Sequence, residues 1–210
     1  MVKRFLIVLL AGFALSGIAT AGPPAPQRTD RAQPRKSVVI PGTAYEIAFG
    51  KSASALPGEP PSPALLKAIA TWLASNFRLP RDAPVPRVTF ASPVQIATFR
   101  YTGILSDRPD DVAAVPPGQR EVVAVYDPVV STIYLPQGWT GSTPAELSTL
   151  VHEMVHHLQH KAGMRYECGQ ASEELAYAAQ DAWLRMFGRD LAGDFAIDPF
   201  TLLVSLRCIY

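Results

Sequence analysis

The longest amphipathic pattern in the chain runs through Leu147, Leu150, Val151, Met154, Val155 and Leu158. Spacings of three and four residues place these side chains on one continuous apolar stripe of an α-helix. Thr143-Pro144-Ala145-Glu146 precedes the stripe as a capping box with proline at the first helical position, so the helix is predicted to begin there and to break beyond Lys161-Ala162-Gly163. A second helical pattern opens near Ala171-Ser172 and runs to Phe187-Gly188. Upstream, Ser62-Pro63 starts a helix through about Phe77 whose buried face is Leu65, Leu66, Ile69, Trp72, Leu73 and Phe77.

Shorter apolar runs read as strands at Val38-Val39-Ile40, Tyr45 to Phe49, Val85 to Phe90, Val122 to Tyr126 and Thr132 to Leu135, the last two joined by Asp127-Pro128 as a hairpin. Ser92-Pro93-Val94-Gln95 opens a short helix that Gly103 ends. Ser106 to Gly118 is a polar, proline-rich loop, read as a plain connection and long enough to form a rim or lid. Asp198-Pro199 starts a final apolar helix, Phe200 to Leu206, expected to pack on the rest. The pattern predicts an α+β domain with a small mixed or antiparallel sheet against helices.

The first residues belong to a different pattern. Lys3 and Arg4, the apolar run Phe5 to Ala14 and Ala19-Thr20-Ala21 form the three parts of a signal peptide, so residues 1–21 are expected to be removed and the protein to be periplasmic or secreted, without a stable membrane anchor. Residues 22–37 are proline-rich and basic with hardly any large apolar side chain, and read as a flexible lead-in to a domain over 38–210. Losing Lys3 and Arg4 from 19 basic residues leaves 17 against 18 acidic ones. A balance this near neutral gives no electrostatic basis for binding nucleic acid or an anionic membrane.

Candidate chemistry lies on the organising helix. His152-Glu153-Met154-Val155-His156 is an H-E-x-x-H pattern. Residues i and i+4 sit one above the other on a helix, so both imidazoles can face one Zn²⁺, with Glu153 turned about 100° from His152 and within reach of a water on the open metal position. A third ligand is expected from the second helix, where Glu173 and Glu174 are adjacent. Glu174 shares its face with Ala178, Asp181 and Arg185, a solvated side with an i,i+4 ion pair. Glu173 shares its face with Tyr177, Gln180 and Leu184, including polar groups able to orient the ligands. Glu173 is therefore preferred, with Glu174 as the alternative.

These residues resemble those of the gluzincin zinc metallopeptidases, in which the H-E-x-x-H pair is completed by a glutamate in an E-x-x-A setting, here Glu173-x-x-Ala176-Tyr177. The likeness spans roughly Thr132 to Gly188, and the wider phrase from Val125 to His152 is similar to small exported bacterial H-E-x-x-H domains without an assigned substrate. The resemblance implies a zincin-like fold and hydrolysis of a peptide or protein substrate. His152, His156 and Glu173 would hold Zn²⁺ while Glu153 accepts the proton of the attacking water and passes it to the leaving amine. It also implies an edge strand for extended substrate, for which Ser131 to Leu135 is the candidate. One departure is that Tyr177 occupies the position where several gluzincins carry an aspartate.

An oxyanion stabiliser or orienting group is sought at Tyr177, His160 and Gln180, whereas His157 is turned away from His152 and reads as a residue that either packs or supports the ligands from behind. Cys168 and Cys208, an even pair in an exported chain, are expected to form one disulfide. The rival function is a non-catalytic, zinc-stabilised binding protein that keeps the ligands without working as a hydrolase.

Overall fold

The computed structural model describes residues 59–115 and 123–208. The signal segment, the lead-in and the two strands expected at 38–40 and 45–49 lie outside the described residues. In chain order the elements are α1 (Pro63–Phe77), β1 (Arg87–Ala91), α2 (Pro93–Thr102), α3 (Pro109–Ala113), β2 (Val125–Asp127), β3 (Thr132–Pro136), α4 (Pro144–Lys161), α5 (Gly169–Arg185), α6 (Leu191–Phe195) and α7 (Pro199–Ser205). The architecture is α+β, a three-stranded mixed sheet with helices packed on it. Among the described residues no helix is long and apolar enough to cross a membrane.

Local chemistry sets most boundaries. Ser62 and Ser92 cap α1 and α2, each accepting from a backbone amide of the first turn, with proline at the start of both helices. Gly103 closes α2 in the left-handed region at φ 79°. α5 begins two residues earlier than expected, at Gly169, with Cys168 as its N-cap in extended conformation.

The sheet order is β1-β3-β2, with β3 parallel to β1 and antiparallel to β2. Ser131 to Leu135 is therefore not an edge. Both flanks of β3 are paired, Arg87 to Ala91 registering with Thr132 to Pro136 on one side and Val125 to Asp127 on the other. The burial of β3 agrees, since Thr132, Ile133 and Leu135 are all inside, the continuous pattern of a central strand. The hairpin turn places Ser131 at φ 50°, and β2 is shorter than the sequence suggested, starting only at Val125.

α4 packs against α1, α5 and the β2–β3 ribbon, and its six-residue stripe is 0–1 % exposed. Trp183 of α5 meets Trp72 of α1 edge to face at 5.5 Å, closing the core on the far side of the helices. Two expectations are corrected here. The region from Ser106 is not an open loop throughout: it contains α3, and the Ser106 hydroxyl donates to Asp111 at 2.6 Å inside it. α7 is apolar but not packed, with Phe200 72 %, Leu203 52 % and Val204 51 % exposed.

Candidate metal centre

The start of α4 is fixed by its own first turn. The Thr143 hydroxyl accepts from the Glu146 amide, and the Glu146 carboxylate accepts in return from the Thr143 amide. The same carboxylate gathers the preceding loop, accepting from the Thr140 amide and hydroxyl at 3.0 Å each and from the Ser142 amide at 3.1 Å. Burial alone would raise the Glu146 carboxyl, but the hydrogen bonds from Thr140 and Thr143 outweigh it and hold the group below its ordinary value. The Trp139 indole donates to the Glu146 carbonyl at 3.0 Å, so loop and helix start form one unit.

Two turns further on, the side of α4 facing α5 carries the histidines. His152 Nε2 lies 3.2 Å from His156 Nε2, and Glu173 Oε2 of α5 lies 3.1 Å from the first and 3.5 Å from the second. The structure thus brings together the three residues expected as ligands, with their donor atoms all within 4.8 Å of one another. Glu174, about 100° further round α5, is exposed on the side where Asp181 and Arg185 form their ion pair.

The other ring nitrogens are engaged as well. His152 Nδ1 is 3.0 Å from Gln180 Oε1, and His156 Nδ1 is 3.1 Å from Gln159 Oε1. Gln180 was expected to orient a ligand and does contact one. Gln159, 3 % exposed on the same helix as the histidines, was missed. Its signal in the sequence is only its place three residues after His156, on the same helix face.

Glu153 is 6 % exposed, and among the described residues no hydrogen bond or ion pair engages its carboxylate. Its charge nonetheless acts on both His156 and Tyr177, which places it beside the cluster. The Tyr177 ring stands edge to face on His152 at 4.7 Å. Burial, reinforced by the Glu173 and Glu153 charges and opposed by Arg100, pushes its hydroxyl up to about 12, so the phenol remains a proton donor.

Burial would depress His156, but the Glu173 carboxylate overrides it and pushes the imidazole up to about 9. Burial likewise works against the Glu173 anion, yet the neighbouring histidines hold it well below the ordinary carboxylate range. The imidazole and the carboxylate thus each favour the charged form of the other.

Two other histidines lie apart. His157 is 1 % exposed, its Nε2–H donating to the Pro84 carbonyl at 2.6 Å and its Nδ1 facing the Tyr126 hydroxyl at 3.2 Å; burial holds it below its ordinary value. It ties α4 to the segment before β1 and to β2, the packing role expected of it. His160 is exposed, 6.2 Å from the Tyr126 ring, and is not among the groups of the cluster. Cys168 and Cys208 form the expected disulfide, joining the residue that starts α5 to the segment after α7.

The chain is thus an α+β protein with a His–His–Glu cluster held between two adjacent helices. It belongs to the family described as a domain of unknown function, DUF6647, which matches residues 59–198 and so contains every residue of the cluster. No curated protein and no solved structure matches the chain.

Proposed function

We propose that this protein is an exported Zn²⁺-dependent hydrolase of zincin-like type, acting on peptide bonds. The observation that carries the proposal is the size of the donor triangle. Tetrahedral zinc with ligands at about 2.0–2.2 Å requires donor atoms roughly 3.3–3.5 Å apart. The three separations here are 3.1, 3.2 and 3.5 Å, one within that span and two slightly short of it, so the triangle is close to the ion's and marginally tighter. Two imidazole nitrogens and one carboxylate also form the His₂Glu donor set of catalytic rather than closed structural zinc sites. The Cys168–Cys208 disulfide supports an oxidising compartment, in keeping with the N-terminal signal pattern.

Bound there, the metal would supply Lewis acidity and lower the pKa of a water in its fourth position. Glu153, beside the cluster and without a protein partner among the described residues, would serve as the general base, its carboxylate taking up a proton from an attacking water and returning it to the leaving amine. Tyr177, whose ring packs on His152 and whose hydroxyl stays protonated, would be the donor to a developing oxyanion. Gln159 and Gln180 fix the rings from behind.

The test is Glu153→Gln. The variant is expected to fold and to retain one equivalent of zinc while losing hydrolysis of a quenched-fluorescent peptide library by at least about 100-fold, the usual scale of general-base catalysis. Turnover equal to that of the native chain would reject Glu153 as the general base, and a native chain without turnover would reject the hydrolase assignment, either result leaving the metal site standing.

A further inference from the structure

We infer that Gln159 and Gln180 are paired positioning residues, each locking one histidine into the tautomer that leaves Nε2 free for a metal, with two backbone carbonyls dictating the choice. The inference rests on the metal-site reading above and deepens it. Gln159 Nε2 is 3.0 Å from the Ser172 carbonyl, which can only accept. The amide nitrogen must therefore face Ser172, and the amide oxygen must face His156. An oxygen there obliges His156 Nδ1 to carry the proton, so in the neutral ring Nε2 holds the lone pair.

The second glutamine is fixed by the same logic through one extra group. The Ser148 hydroxyl donates to the Ala145 carbonyl at 2.8 Å, so toward Gln180 it can only accept. Gln180 Nε2 donates to it at 3.3 Å, which turns the amide oxygen to His152 Nδ1. Ser148 is fully buried and Gln180 is 4 % exposed, so water does not offer these groups an alternative partner.

The two clamps cross the helix interface in opposite directions. Gln159 reaches from α4 to the first turn of α5, one residue before Glu173, and Gln180 reaches from α5 back to the second turn of α4. Each sets a ring and the distance between helices in one connection. Both are neutral, where an orienting carboxylate would make the imidazoles more basic.

The consequence is an asymmetry that charge alone would not produce. In Gln180→Glu, one carboxylate oxygen still accepts from His152, and the other accepts from Ser148 once its hydroxyl turns. In Gln159→Glu, the second oxygen meets the Ser172 carbonyl, acceptor against acceptor, and pushes the Glu173 turn away. Zinc affinity by chelator competition should therefore fall about 10–100-fold in Gln159→Glu, the scale of losing a ligand's hydrogen-bond partner, and should not fall in Gln180→Glu. Any other pair of results overturns the clamp.

A second measurement needs neither variant. In ¹⁵N-histidine-labelled Glu173→Ala protein without metal, where no carboxylate faces the Nε2 atoms, two-bond ¹H–¹⁵N correlations in buffer well above the ordinary histidine range should show His152 and His156 protonated at Nδ1. His157, donating from Nε2 to Pro84, provides the opposite tautomer as an internal reference. Protonation at Nε2 of either His152 or His156 overturns the inference. A native chain that binds no zinc sinks the metal reading separately, and the tautomers still decide the clamp.

Discussion

Without metal, the cluster is expected to be filled by a proton, and that makes its stability depend on pH in a direction opposite to that of the zinc-loaded protein. The perturbation is alkalinisation of the metal-free chain. His156 stands at about 9 when folded against an ordinary 6.5, because the Glu173 carboxylate outweighs the burial of the ring. A folded value above the unfolded one means that the contribution is fully present below about 6.5 and is lost as pH rises through about 9. At 1.36 kcal/mol per unit, the shift is worth about 3 kcal/mol, counted once because Glu173 reports the same interaction. That is a large share of the 5–15 kcal/mol typical of a domain. His157 does not confuse the window, since a histidine held low by burial costs stability only on the acid side. Urea unfolding followed by fluorescence of the buried Trp72, Trp139 and Trp183 measures it. Metal-free protein should lose stability from neutral to alkaline pH, whereas with zinc the metal's contribution should grow over the same range as protons cease to compete. Glu173→Gln should abolish the slope of the metal-free protein. A metal-free stability that is flat or rising across the window refutes the coupling of His156 to Glu173.

Two further outcomes test the placement of neighbouring acids. Glu173→Gln should weaken zinc binding by well over the roughly 10–100-fold cost of losing an orienting partner, while the exposed Glu174→Gln should leave it unchanged; equal effects would place the third ligand elsewhere. Glu146→Ala removes the reciprocal cap of α4 and the hub of the preceding loop, and should cost about 2–3 kcal/mol in chemical unfolding, more than the ~1 kcal/mol of an ordinary cap such as Thr143→Ala. Because Glu146 sits below its ordinary 4.5 when folded, its contribution is present above that pH and lost as pH falls through the folded value, so the variant should show a shallower acid limb.

The legibility of these features followed the range of the forces behind them. The start of α4 could be read because a capping box is complete within four residues, and the stripe Leu147 to Leu158 because helical spacing alone aligns it. Glu173 was separable from Glu174 because adjacent helical residues point about 100° apart and only one shares a face with Gln180. The position of β3 in the sheet was not legible. A strand bounded by a hairpin on one side carries no local mark of a parallel partner 45 residues earlier (Thr132 pairs with Arg87), and only its two-sided burial reveals it. The packing expected of α7 failed for a related reason: Phe200, Leu203 and Val204 make an apolar face, but composition does not say whether a neighbour covers it. Gln159 escaped notice because an amide has no ligand signature; its meaning comes from Ser172, which belongs to another helix.

The division of labour between the two site helices explains why the clamps matter. α4 carries His152, Glu153 and His156 on one side and, on the other, a stripe of six residues almost wholly removed from water, so its position is set by the core. Burying such side chains contributes about 1.5–3 kcal/mol each before entropy is counted, far more than any one contact at the cluster. α5 contributes Glu173 from its first turns, close to its exposed connection with α4. Trp183 and Leu184 anchor its distant end, three turns from Glu173. The near end depends on the Gln159 bond to Ser172 and on the disulfide at Cys168, five residues before Glu173. The geometry of the cluster is therefore most sensitive at the start of α5, where small changes in backbone position translate directly into the separation of Glu173 from the histidines, and least sensitive along α4, where the core would have to repack first.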